Sequence, residues 1–135
     1  MMKTLASALL LSLGVLCGTS AASATPTSTA PSYAVVVSAA TATNAEWRGV
    51  VEALLARHAA VVVTYTSSVW ETKAALARLM PHYVCFVARP EEAHRLLVFQ
   101  AHQLTRALDD DPYGDCIWGI LTGFDAADAL RIARH

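Results

Sequence analysis

The chain has 135 residues, enough for one modest domain. Charged residues make up only 16%, and ten basic residues against eleven acidic ones leave no basic stripe, which argues against nucleic acid or an anionic membrane surface as partner. Mean hydropathy is +0.40, high for a soluble chain, and an export signal together with many alanines supplies much of it.

The first stretch, MMKTLASALLLSLGVLCGTSAASA, has a single Lys3, an apolar core from Leu5 to Leu16 and a small-residue end. Ala22-Ser23-Ala24 fits the A-x-A cleavage rule, so residues 1–24 read as a signal peptide cut after Ala24. The apolar core is shorter than the roughly 20 residues that span a bilayer. Cys17 follows Leu16, where a lipoprotein site wants a small residue. The expected product is exported, periplasmic or extracellular, with no membrane element after cleavage. Removing Lys3 leaves nine basic against eleven acidic residues, a net charge of −2. Cys85 and Cys116 remain, in a compartment that permits oxidation. Residues 25–32, TPTSTAPS, cannot pack a core and read as a linker.

Residues 33–135 read as one α/β domain, shortened at its C-terminal end. Tyr33 to Val37 is a β-branched run without polar alternation, the pattern of a parallel strand buried on both faces. Asn44 offers an N-cap and Glu46 sits in the positive first turn of a helix. Trp47, Val50, Val51, Leu54, Leu55 and His58 form its apolar stripe, with His58 as charge partner of the helix C-terminus. Ala60 to Tyr65 repeats the strand. Ser68 and Glu71 form a capping box for a second helix, which Pro81 stops and whose Leu76, Leu79 and Met80 face the sheet. Tyr83 to Ala88 is the third strand. Pro90, Glu91 and Glu92 suit the first turn of a helix running to Leu108 and burying Leu97, Ala101, Leu104 and Leu108. An acidic turn follows, then an apolar strand from Cys116 to Leu121, a break at Thr122-Gly123 and a helix capped by Asp125. The order predicts a three-layer α/β fold: a four-stranded, mostly parallel sheet with helices on both faces, Rossmann-like in layering. Ligands in such folds sit beyond the carboxyl ends of the strands.

The chemistry is sparse. A cysteine nucleophile needs a base beside it. Cys85 is mid-strand, and His82, three residues before it, points to the other face. Cys116 begins its strand, about 20 Å from the ligand edge at roughly 3.3 Å per residue. Both read as structural thiols, with a Cys85–Cys116 bridge as the alternative. His94 and His102 lie eight residues apart without a His-Glu-x-x-His pattern and read as surface histidines. Asp109, Asp110, Asp111 and Asp115 offer oxygens to calcium, but Ile120 stands where an EF-hand loop needs its bidentate Glu. A solvated loop is therefore expected, with Asp109, Asp111 and Asp115 as the candidate metal ligands. No glycine-rich loop follows the first strand and no Gly-x-Ser-x-Gly elbow occurs, so neither a dinucleotide nor another cofactor is expected.

The succession YAVVV, helix, AVVVTY, helix, PHYVCFVARP resembles the opening of gingipain-type cysteine peptidases. Asp111-Pro112-Tyr113-Gly114-Asp115 resembles that family's acidic-Tyr loop. Cys116 to Gly123 resembles its next strand, and Asp125 to Leu130 the helix after it. The resemblance covers Tyr33 to His135. It departs at Arg89-Pro90, where the family has Gly-Asp, and at Thr122-Gly123, where it has Gly-Arg. In that family this unit is a non-catalytic first subdomain, and the His and Cys of the dyad lie downstream. The resemblance thus implies no catalytic residue here. It implies the N-terminal portion of an exported peptidase, inert alone and partnered by a catalytic subdomain or another protein. A stand-alone exported binding module is the alternative.

Overall fold

The computed structural model describes residues 32–135. The readings of residues 1–24 as signal peptide and of all but the last residue of 25–32 as linker lie outside the described residues. Four strands, β1 (Tyr33–Ser38), β2 (Val61–Tyr65), β3 (Tyr83–Val87) and β4 (Ile117–Leu121), form one sheet in the order β2-β1-β3-β4. Every neighbouring pair is parallel. Five helices join them: α1 (Ala39–Thr43), α2 (Ala45–His58), α3 (Lys73–Leu79), α4 (Arg95–Leu104) and α5 (Ala126–Ala133). The fold is the expected three-layer α/β sandwich. No described helix is long and apolar enough to cross a membrane.

Alternation along the central strands builds two cores. Val35, Val37, Cys85, Val87 and Leu121 point to one face, where Trp47, Val50, Val51 and Leu54 of α2 and the alanines of α5 cover them. Ala34, Val36, Val84 and Phe86 point to the other, under Leu76 of α3 and Leu97, Ala101 and Leu104 of α4. Ala34 through Val37 are wholly buried, as expected for a strand covered on both sides. Right-handed crossovers require this division. The step from β1 left to β2 uses a helix on one face, and the steps right to β3 and β4 use helices on the other. α5 then returns to the face of α2.

Three element readings are corrected. Ser38 ends β1 and caps a short helix, its Oγ accepting the Thr41 N–H at 3.0 Å, where the sequence suggested only a strand edge. The second helix begins as a 3-10 turn at Val69–Thr72, and Met80 at its end takes the left-handed conformation (φ 42°) and stands 48% exposed instead of facing the sheet. The third helix starts at Arg95, not Pro90, and ends at Leu104, not Leu108. Glu92 and Ala93 N–H bond back to the Arg89 carbonyl in a turn, and the Glu92 side chain is drawn to β1. His94 is the true N-cap, its Nδ1 accepting the Leu97 N–H at 3.3 Å.

Candidate functional site at the strand ends and the β4 flank

In this strand order the chain reverses direction between β1 and β3, so the crevice beyond their carboxyl ends is where the fold places ligands. A polar cluster fills it. The Ser38 hydroxyl donates to Glu92 Oε1 and the Thr41 hydroxyl to Glu92 Oε2, each at 2.6 Å. The Arg89 backbone N–H donates to Oε2 at 3.1 Å. The Arg89 guanidinium donates to Thr41 Oγ1 at 2.9 Å and contacts Glu92 Oε1 at 3.3 Å and Glu91 Oε1 at 2.9 Å. Burial alone would raise the Glu92 carboxyl, but the donors Ser38, Thr41 and Arg89 outweigh it and hold the acid below its ordinary range. Tyr65 titrates above its usual range, first because it is buried and then because the Glu92 charge is near.

The neighbouring strand end is filled the same way. After β2, the N–H groups of Thr66, Ser67 and Ser68 and the Ser67 hydroxyl all donate to the Glu71 carboxylate, at 2.6 to 3.0 Å. The Ser67 hydroxyl, followed by the backbone donors of Thr66, Ser67 and Ser68, lowers Glu71 to about 2. Successive backbone N–H groups in a turn form a concavity suited to an anion. Here the anion is the chain's own. The remaining space is a polar hollow of about 290 Å³ among Ser38, Tyr65, Ser67, Glu92, His94 and Gln100.

The cysteines do not form a reactive pair with histidine. Cys85 points into the α2–α5 core and Cys116 packs against the opposite core, so the sheet separates them and both are free thiols. Cys85 touches the rim of a 350 Å³ cleft shared with Tyr33, Tyr83, Ile117, Gly119 and Ile132. Its partner there is the Tyr33 phenol and not an imidazole. Burial raises the Cys85 thiol, and burial followed by the Asp115 charge raises Cys116 to about 11, so both stay protonated at neutral pH. A protonated thiol is a poor nucleophile. Burial and the Cys85 contact lift Tyr33 to about 12.

His58, His94 and His102 are engaged in packing or capping. His58 is the last residue of α2 and stacks flat on Tyr33, with ring centroids 4.2 Å apart. The spacing of the helix could not reveal that contact, because Tyr33 comes from another element. His102 lies 6.3 Å from the Trp118 ring. Asp109, Asp111 and Asp115 do converge, their nearest oxygens all within 4.8 Å of one another on the loop before β4. Asp109 and Asp111 are exposed, and the loop uses all three internally. Asp109 accepts the Asp111 N–H, Asp111 the Tyr113 N–H and Asp115 the Leu108 N–H, at 2.7 to 2.9 Å. Asp110 is exposed and is not in that cluster.

The flank formed by β4 and α5 has the opposite character to the strand ends. Phe124 is 96% exposed, Ile117 62% and Ile132 49%. A cleft of about 520 Å³ lies between Pro90, Thr122, Phe124 and Ile132. Nothing in the spacing of these residues marked them as surface neighbours, and only the fold places Ile132 with both Ile117 and Phe124. Comparisons of the chain with protein-family models, with curated proteins and with solved structures return no match.

Proposed function

We propose that this chain is a non-catalytic exported scaffold, the counterpart of the first subdomain of gingipain-like cysteine peptidases, whose role is to hold a second protein unit on its β4 flank. The unit would be a catalytic subdomain or another protein. The observation that carries the reading is the exposure of Phe124, Ile117 and Ile132 around two clefts, on a side of the sheet that no described residue covers. Monomeric surfaces scatter such residues singly, and contiguous apolar surface marks interaction sites. Two further features support inertness: neither thiol has a base, and the strand-end crevice is occupied by Glu92. The acidic loop is read as stapled by its own backbone N–H groups, without a requirement for calcium.

The test is a peptidase assay on the exported chain together with a thiolate-directed alkylating probe at neutral pH. The expected result is no turnover and no labelling of the folded protein. Turnover that disappears in Cys85→Ser or Cys116→Ser would overturn the proposal. The second reading, a stand-alone exported binding module, draws on the polar hollow beside Ser38 and Gln100. It expects small polar ligands to raise the melting temperature, and a null result across such ligands removes it.

A further inference from the structure

The outer edge of β4 has a geometry that suits one particular occupant. The Ile117 N–H bonds the His82 carbonyl, and the Leu121 carbonyl accepts the Ala88 N–H. With the parallel register of Ile117 opposite Tyr83 and Leu121 opposite Val87, the backbones of Ile117, Gly119 and Leu121 face β3. The N–H and C=O groups of Trp118 and Ile120 therefore face outward. Among the described residues nothing covers them. Natural sheets guard such edges with proline, lysine or a bulge. The sequence Ile117-Trp118-Gly119-Ile120-Leu121 contains no proline and no charge.

We propose that this edge pairs with the same edge of a second copy of the chain, antiparallel about a two-fold axis at Gly119, joining the two four-stranded sheets into one of eight strands. The inference rests on reading the β4 flank as a docking surface and makes its occupant a second copy of this chain in place of a catalytic subdomain.

The register follows from the outward groups. In an antiparallel pair, residues that exchange both hydrogen bonds alternate with pairs that exchange none. Setting Trp118 opposite the partner's Ile120, and Ile120 opposite the partner's Trp118, satisfies all four outward groups on each copy. The axis then passes through a non-hydrogen-bonded pair, Gly119 against the partner's Gly119, where Cα atoms approach to about 4.5 Å. A residue without a side chain occupies that closest position. Ile117 falls opposite the partner's Leu121. Because the strands run antiparallel, Phe124, three residues after β4, and the partner's Tyr113, four residues before its β4, lie at the same end of the pair. Phe124 and Tyr113 are 96% and 74% exposed, the two most exposed large apolar side chains described.

Charge and area agree with this pairing. No charged residue lies within β4, so self-pairing opposes no like charges, and the Asp115 carboxylate is turned back onto its own Leu108 N–H. A buried aromatic contributes about 150–250 Å². Two nearly bare aromatics with Ile117 thus supply on the order of 500 Å² per copy, about 1,000 Å² per pair, the scale at which an interface is biological.

The experiment is sedimentation equilibrium on the purified exported chain and on Gly119→Glu and Gly119→Lys. A Cβ built at Gly119 meets nothing within 4 Å, so either variant should fold, which circular dichroism checks. The wild type is expected to be dimeric. Each variant alone sets like charges across the axis and should weaken the dimer more than tenfold. An equimolar mixture of the two should restore it, because Glu then faces Lys. A wild type that is monomeric at tens of micromolar overturns the inference but leaves docking of a different unit intact. A dimer that ignores both substitutions places the contact elsewhere and also overturns it. Loss in both variants without recovery in the mixture rejects the two-fold at Gly119.

Discussion

The carboxyl ends of β1 and β2 and the outer flank of β4 are both places where an α/β sheet of this kind offers contacts, and the chain treats them oppositely. At the strand ends the inviting polar groups are satisfied internally, Glu92 by Ser38, Thr41 and Arg89, and Glu71 by the Thr66–Ser68 turn. At the flank, apolar side chains and backbone groups are left without a partner among the described residues. The difference teaches that the position of a ligand edge in a fold does not show that it is free. An internal carboxylate supplies the negative charge that a bound anion would, and does so without losing translational entropy.

The largest effect should come from emptying the switch point. Glu92→Ala removes the acceptor of two short hydroxyl bonds and of the Arg89 N–H in a half-buried site, and leaves the Arg89 guanidinium with Glu91 as its one remaining carboxylate. We expect a loss of about 2 kcal/mol in urea unfolding. Glu92→Gln should cost less, since it keeps one carbonyl acceptor. By contrast, Phe124→Ser at the flank should leave the stability of the monomer unchanged, because its side chain has few contacts to lose. Equal losses from Glu92→Ala and Phe124→Ser would erase the distinction between the two regions.

Titration sharpens the same comparison. Glu71 and Glu92 have folded pKa values below their ordinary ones, so the folded state holds their protons less tightly than the unfolded chain does. Their contribution is present above about pH 4.5 and is lost as pH falls, down to about 2 for Glu71. The melting temperature of wild type should fall across that window, and less steeply in Glu71→Gln. Cys116 shifts the other way, from 9.0 to about 11, so its contribution holds below pH 9 and is lost as the pH rises toward 11. A Cys116→Ser variant should flatten the alkaline limb and leave the acid limb unchanged.

The architecture was legible because its signals are local. Short β-branched runs such as Ala34 to Val37 favour strands covered on both faces, and Asn44, Ser68 and Asp125 sit as caps where expected. The site was not legible for the converse reason. Glu92 reads as a helix-first-turn acid, and nothing near it in sequence says that Ser38 and Thr41, more than fifty residues away, will take its oxygens. That same long-range pull shifted the start of α4. The one available hint was a pair of hydroxyl residues, Ser38 at the end of β1 and Thr41 three residues on, placed where the fold converges. The acidic loop was visible as a cluster, yet its internal bonding depends on a turn geometry that composition does not encode.

The smallest effect concerns Thr122, where the two regions meet. It follows β4 directly, lines both clefts, and its Oγ1 is the one buried side-chain oxygen among the described residues without a hydrogen-bond partner. Next to it, a Cβ on Gly123 would come within 2.7 Å of the Ala129 N atom, so the backbone packs closely against the first turn of α5. A buried polar atom left unpaired costs about 1–3 kcal/mol. Thr122→Val keeps the shape and deletes the hydroxyl. It should stabilise the chain by about 1 kcal/mol in urea unfolding. A neutral or destabilised variant would mean that the hydroxyl has a partner, and the partner should then be sought in whatever occupies the flank.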